Sequence, residues 1–273
     1  MANQIALRPS YWASVSGGKD SLFMLKLILE HPDQYPLDGV AHFELEIDYP
    51  FIKTVIDYME TECKKNGIRF VRIKPRKSFW ELLEKHQFPG RTKRWCNSDY
   101  KMDANRQLKA FLKQQGAYLV SYIGFCADET KRFRFEINER GQKITQIYPL
   151  AEYGIEEKEI LKWARTVPLF NDFYKYNDRC GCIFCPMQSM QTTAYLAKYY
   201  PEHYDLMMKL AKETEEFITK KQGRPYTVFH GNPKFNVEYR DRMIRKKYLP
   251  ELEEKIQYYE FLEKVRPDRE ETT

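Results

Sequence analysis

The sequence predicts an α/β protein: a doubly wound parallel sheet followed by a mostly helical C-terminal region. Three observations predict it. Strand-like and helix-like apolar runs alternate with short connections from Tyr11 to Ile147. The first strand runs straight into Ser14-Val15-Ser16-Gly17-Gly18-Lys19-Asp20-Ser21 and then into a strongly apolar helix. Beyond about residue 150 the alternation stops and helical spacing takes over. The expected division is an α/β domain over residues 1–150 and a helical region over 151–273.

Tyr11 to Val15 reads as the first strand, and Leu22 to Leu29 as a helix apolar nearly all round, hence buried on several sides. His31-Pro32-Asp33 ends that helix. Asp38 to Ile47 reads as the second strand, with His42 and Glu44 towards its C-terminal end. Phe51 to Lys65 is helical, with Ile52, Val55, Ile56 and Met59 on one face, and Ile68 to Ile73 is a third strand. Ser78 to His86 forms a short helix, and a loop with Pro89-Gly90 follows. The next helix opens near Trp95-Cys96, with Asn97 or Ser98 as N-cap, and runs to about Gln115. Ala117 to Ile123 is the fourth strand, Ile144 to Ile147 a further one, and Glu156 to Trp163 a helix.

In the C-terminal region Tyr204, Met207, Met208, Ala211 and Ile218 keep helical spacing, as do Leu252, Ile256, Tyr259 and Leu262. Their Met and aromatic positions read as core. Arg240, Arg242, Arg245, Lys246 and Lys247 form a basic cluster that suits either a nucleic-acid surface or a solvated helix face. Asp268 to Thr273 reads as a frayed tail.

A composition of 42% hydrophobic and 31% charged residues is that of a globular protein. Met1 to Ser10 has no apolar h-region and no run approaches a membrane span, so the expected location is cytoplasmic, with no membrane partner. The net charge is +6, and the bias is local: eight basic residues against three acidic ones between Lys74 and Lys101. Such a stretch favours an anionic partner. In a reducing compartment the six cysteines are ligand or catalytic candidates before they are disulfides.

The chemistry concentrates in three places. At Ser16 to Ser21 the glycines let the backbone approach a ligand, and the helix N-terminus offers N–H groups to a phosphate. Ser16 and Ser21 add hydroxyls, Lys19 a cation and Asp20 a carboxylate for Mg²⁺. Beyond the fourth strand, Gly124 to Arg132 brings an acidic pair, Asp128 and Glu129, and Arg132 to the carboxyl edge of the sheet, where such folds bind ligands. Cys180-Gly181-Cys182-Ile183-Phe184-Cys185-Pro186 gathers three thiols within six residues, a donor set for zinc or an iron–sulfur centre. A fourth ligand must come from elsewhere, and Cys96 is the choice. Cys63 reads as a small core residue; Cys126, in the loop after strand four, could serve as a nucleophile or carry a persulfide.

At Ser16-Gly17-Gly18-Lys19-Asp20-Ser21 the chain resembles the PP-loop ATP pyrophosphatases, whose signature is Ser-Gly-Gly-x-Asp-Ser. That group, of the adenine nucleotide alpha hydrolase-like fold, includes the sulfonucleotide (PAPS and APS) reductases, tRNA-thiolating enzymes and the DNA phosphorothioation sulfurtransferase. The resemblance implies ATP with Mg²⁺, or an adenylyl sulfate, as the bound nucleotide. It sets Asp128 or Glu129 near metal or ribose and Arg132 near a phosphate or sulfate, and makes residues 1–150 the nucleotide-binding domain. Arg94-Trp95-Cys96…Lys101 is similar to the Arg-x-Cys-Cys…Lys segment of the APS reductases, with Trp95 replacing one Cys. There a later knuckle completes a 4Fe–4S cluster, which implies Cys96, Cys180, Cys182 and Cys185 as ligands here, with zinc as the alternative. One early cysteine and a later triplet is closer to the iron–sulfur sulfurtransferase branch.

No cysteine follows Cys185, whereas the sulfonucleotide reductases attack with a C-terminal cysteine. The expected reaction is therefore adenylation of an acceptor, coupled to sulfur transfer; a sulfonucleotide reductase and a non-catalytic nucleotide sensor with structural zinc are the alternatives. The implied partners are an adenine nucleotide, an anionic acceptor such as tRNA or DNA, a sulfur-donor protein and a second copy of the chain.

Overall fold

The structure, a computed structural model, describes residues 7–133, 137–138, 141–142 and 145–265. Ile144 and the expected tail from Asp268 lie outside the described residues. The chain divides into two compact units: residues 1–85, 95–174 and 180–182 form the first, and 86–94, 175–179 and 183–273 the second. The α/β unit therefore runs past residue 150 and reclaims part of the cysteine knuckle.

In chain order the first unit contains β1 (Arg8–Val15), α1 (Lys19–Glu30), β2 (Gly39–Phe43), α2 (Pro50–Lys65), β3 (Phe70–Ile73) and α3 (Phe79–His86), whose last residue belongs to the second unit. A π-helical turn, Cys96–Lys101, leads into α4 (Met102–Gln114), and β4 (Ala117–Tyr122) follows. Ile137–Asn138 (β5) and Gly141–Gln142 (β6) pair as a short antiparallel ribbon before β7 (Gln146–Ile147). Then come α5 (Pro149–Glu152), α6 (Glu157–Ala164) and α7 (Phe173–Tyr176), which spans the boundary between units.

Five strands form one sheet in the order β3-β2-β1-β4-β7, every neighbouring pair parallel. With β1 central, the chain winds outward first to one side and then to the other. The strand order reverses between β1 and β4, and the carboxyl ends there form the crevice in which such sheets bind ligands. Trp12, Ala41, Leu119 and Ala117 meet Leu108 and Leu112 of α4 in a closed cluster on one face. α1 packs on β1 and against α2 and α6, its residues Leu22, Met24, Leu25 and Ile28 buried, as an all-round apolar helix requires. Cys63 on α2 is fully buried, the core residue expected of it.

Several elements depart from their expected bounds: β1 starts at Arg8 rather than Tyr11 and β3 at Phe70 rather than Ile68, and two departures bear on the site. The second strand stops at Phe43 rather than Ile47, because the chain turns there, and Leu45 and Asp48 of the turn line a cavity. The helix near Trp95 starts as the π-helical turn, with Trp95 rather than Asn97 or Ser98 at its N-cap. Trp95 is buried against Phe79, ring centroids 5.3 Å apart, so packing and not a capping side chain fixes this start.

The second unit contains α8 (Met190–Tyr199), α9 (Pro201–Gln222), α10 (Val237–Met243), a π-helical turn at Ile244–Tyr248 and α11 (Leu249–Val265). Tyr204, Met207, Met208 and Ala211 of α9 are buried, as their spacing predicts. Glu215 accepts from the Val228 and Val237 amides at 2.9 and 3.0 Å and holds the loop after α9. Arg240 is also buried: it donates to the Gln188 carbonyl at 2.8 Å, its guanidinium lies 4.5 Å from the Phe229 ring, and burial lowers its pKa to about 10. It therefore leaves the expected basic surface, whose exposed members are Arg242, Arg245, Lys246 and Lys247.

Candidate functional site

The turn from β1 into α1 is tied by its own side chains. Gly17 sits at φ +75°, which a residue with a Cβ adopts only under strain. The Ser21 hydroxyl donates to the Gly18 carbonyl at 2.9 Å and accepts from the Ser16 amide at 3.3 Å. The Lys19 amide donates to the Tyr174 hydroxyl at 3.0 Å. Tyr174 is almost completely buried, and this places a fixed hydroxyl at the helix N-terminus.

Lys19 turns away from open solvent, 1% exposed, with Nζ 2.8 Å from Asp20 and 3.2 Å from Glu157. Burial raises the Asp20 pKa, and the Lys19 cation opposes that rise. Glu157 and Glu129 add negative potential at the same carboxylate. The β4 side of this cluster is close: the Cys126 Sγ is 3.7 Å from Asp20 Oδ1. Gly124 permits the approach, since a Cβ there would stand 3.0 Å from the Asp20 carbonyl oxygen.

Around the loop after β4 the acidic and basic residues brace one another. Glu129 accepts from the Cys126 amide at 3.3 Å and from Arg132 at 2.6 Å. Asp128 accepts from the Glu157 amide at 3.2 Å, at the start of α6. The Arg132 guanidinium lies 3.9 Å from the Phe125 ring centroid. Cys126 is fully buried, and burial, then the Asp20 carboxylate, push its thiol far above the ordinary range. A nucleophile needs a thiolate, so this site does not favour Cys126 as one.

On the β2 side of the same turn lies a cavity of about 300 Å³. Ser16 and Gly18 of the Ser16–Ser21 turn, the phosphate cradle expected from the sequence, line it; so do His42, Asp48, Lys101, Cys180 and Cys182. Burial pushes the Asp48 carboxyl up to about 6 against the pull of Lys101. Burial, then Asp48, push the Cys180 thiol above its ordinary range. Ser16 and Gly18 thus share one cavity within the α/β unit with two thiols of the knuckle, while Lys19 pairs with Asp20 and Glu157.

A family model for the phosphoadenosine phosphosulfate reductase domain matches residues 10–188. The chain belongs to that family. The reductase-domain segment thus takes in the cradle, the loop after β4 and the whole cysteine knuckle. The protein is 26% identical over 216 residues to an uncharacterized protein of Methanocaldococcus jannaschii, a match over 75% of this chain and 49% of the relative. It therefore spans about half the length of the curated relative it matches. Among solved structures it is similar to the U34-tRNA thiolase NcsA from Methanococcus maripaludis with its 4Fe–4S cluster, at TM-score 0.41 and 17% identity, covering 90% of this chain and 76% of that one. It is also similar to the phosphoadenylyl-sulfate reductase from Candida auris in its phosphate complex, at TM-score 0.38 and 14% identity, covering 64% of this chain and 81% of that one.

The four expected ligand thiols fall in different parts of the chain's fold. Cys180 and Cys182 line the cavity, Cys96 is buried in the π-helical turn outside the cavity lining, and Cys185 belongs to the second unit. Among the described residues no three Cys, His, Asp or Glu side chains are gathered to hold a metal. Four thiolates are the donor chemistry of a soft metal. No helix among the described residues is long and apolar enough to cross a membrane.

Four residues of this reductase-domain site carry no motif that marks them: His42, Asp48, Glu157 and Tyr174. His42 and Asp48 carried one usable signal, polar groups at the carboxyl end of a buried parallel strand. Lys101 was marked twice, as one of eight cations in the basic stretch and as the Lys of the Arg94-Trp95-Cys96…Lys101 segment.

Proposed function

We propose that the protein is a PP-loop enzyme that adenylates an acceptor, with AMP and pyrophosphate chemistry coupled to sulfur transfer. One observation carries this reading: the phosphate cradle and the Cys180 and Cys182 thiols line the same cavity. Family membership supports a nucleotide with a phosphate or sulfate ester in it.

In this reaction an acceptor oxygen attacks the α-phosphorus of ATP and the bond to the β-phosphate breaks, releasing pyrophosphate. The turn from Ser16 to Ser21 is the proposed seat of the phosphates, while Lys19 balances the charge of Asp20 and Glu157. Asp20 is the proposed Mg²⁺ carboxylate, with Glu129 adding negative potential and Asp128 and Arg132 fixing the loop that carries it. A sulfur nucleophile then displaces the adenylate. Cys96, Cys180, Cys182 and Cys185 are proposed on donor chemistry alone as ligands of a 4Fe–4S centre, with zinc as the alternative. Proposed acceptors are anionic, tRNA or DNA among them.

The test is an acceptor screen that reads pyrophosphate release from ATP, run beside anaerobic iron, sulfide and zinc analysis. Release with wild type and none with Asp20→Ala supports the reading. Undiminished release with Asp20→Ala removes the catalytic role of the cradle, and colourless, zinc-loaded protein removes the iron–sulfur centre.

A further inference from the structure

We propose that His42 selects the nucleoside, its Nε2 accepting a hydrogen bond from a donor on the ligand, either the exocyclic amine of the base or a ribose hydroxyl. This assignment rests on the nucleotide reading above and deepens it.

The tautomer follows from one contact. His42 Nδ1 lies 3.1 Å from the Val15 carbonyl oxygen. A carbonyl only accepts, so Nδ1 carries the hydrogen and Nε2 presents a lone pair. The residue is 4% exposed and lines the cavity beside Ser16 and Gly18. An acceptor on the wall of a cavity can take its partner from a ligand there.

The position is set by the sheet. Val15 and His42 are register partners across the parallel β1–β2 pair, so the ring stands beside the last residue before the cradle. An aliphatic side chain would satisfy a strand buried on both faces. An imidazole pinned by the neighbouring strand's carbonyl does more than pack, because the pin fixes which nitrogen faces away.

The charge state agrees with an acceptor. Burial first, and the Arg72 cation second, lower the pKa of His42, while the Val15 carbonyl and Glu44 work the other way. A protonated ring would turn Nε2 into a donor suited to phosphate; the neutral ring suits an N–H or O–H of the nucleoside. An adenine amine meets that demand, whereas the 6-oxo group of a hypoxanthine presents an acceptor to an acceptor.

The experiment is calorimetric titration of the full chain with ATP, ITP, 2′-deoxyATP, 3′-deoxyATP and inorganic triphosphate. Wild type is compared with His42→Phe, which keeps a ring without the acceptor, and His42→Gln, which returns an oxygen near the Nε2 position. His42→Phe is expected to weaken ATP by about 10–100-fold with triphosphate unchanged, and His42→Gln to recover part of the loss. If the base amine is the donor, wild type already binds ITP weakly and His42→Phe weakens it no further. If a ribose hydroxyl is the donor, the same pattern appears with one of the deoxy nucleotides. ATP affinity within twofold of wild type in His42→Phe overturns the assignment while leaving the nucleotide reading intact. Equal loss of ATP and triphosphate overturns it too, as general damage to the site. Wild type that binds no nucleotide overturns the nucleotide reading and the assignment with it.

Discussion

Glu157 Oε1 lies 3.2 Å from Lys19 Nζ, so the first turn of α6 is tied to the first turn of α1. The same ammonium holds Asp20 at 2.8 Å and is itself almost wholly buried. Lys19→Met leaves two carboxylates facing each other without their cation. The expected cost is about 1–3 kcal/mol, less than for a fully buried pair because Asp20 and Glu157 keep partial solvent contact. Pyrophosphate release should fall by about 100-fold or more as the loop loses its charge balance. Glu157→Gln keeps the Lys19–Asp20 pair and should lose far less of both. Urea midpoints and release rates on the two variants check this; a Lys19→Met protein as stable as wild type contradicts it.

The turn at Gly17 sets a second expectation. Its φ is +75°, and a Cβ there would stand 2.8 Å from Ile52 Cγ2. Gly17→Ala therefore meets both backbone strain and a clash, together about 1–3 kcal/mol. Gly18, at φ −79°, has its nearest neighbour 3.5 Å from a built Cβ. Gly18→Ala should fold normally and differ from Gly17→Ala by most of that amount. Thermal melts of the pair decide the matter: equal destabilisation would show that the left-handed turn is not what Gly17 supplies.

The sheet and the cradle were legible because each is written locally. Apolar runs of strand length, separated by helical periodicity, announce a parallel sheet, and Ser16 to Ser21 is contiguous in sequence. Glu157 and Tyr174 were not legible, because they reach the cradle from 138 and 155 residues away along the chain. Only tertiary packing brings them there. Arg240 misled for a related reason: four of its basic neighbours in sequence are exposed, yet its own side chain is drawn inward by the Gln188 carbonyl and the Phe229 ring. A charge run read linearly averages over faces that the helix separates.

Asp48 gives the site a pH signature. Burial raises its carboxyl to about 6 in the folded chain, from the ordinary 3.8 it has when unfolded. Between those values the folded state holds more protons, so stability falls as pH rises through the window from about 4 to 6. Above it the full penalty, at most about 3 kcal/mol, remains. Asp48→Asn, which resembles the protonated acid, should be more stable than wild type at pH 7.5 and no different at pH 3.5. Denaturant unfolding at both values reads the difference directly. A gain that is the same at both pH values would mean that titration of Asp48 is not its source.

Cys126 offers the sharpest separation of proximity from chemistry. Its Sγ is 3.7 Å from Asp20, nearer to the cradle carboxylate than any sequence argument could specify. Yet burial and the surrounding carboxylates keep the thiol protonated, and the fully buried side chain leaves no approach for an electrophile. Cys126→Ala should therefore retain pyrophosphate release within about threefold, at a packing cost of about 1 kcal/mol. Native protein treated with iodoacetamide at pH 8 should leave Cys126 unmodified, as peptide mass mapping would reveal. A loss of 100-fold or more in Cys126→Ala with unchanged stability, or rapid alkylation of Cys126 in the folded chain, would instead make this thiol a participant in the reaction. Retained activity would leave Cys180 and Cys182, the thiols that line the cavity, as the ones to examine next by the same substitution.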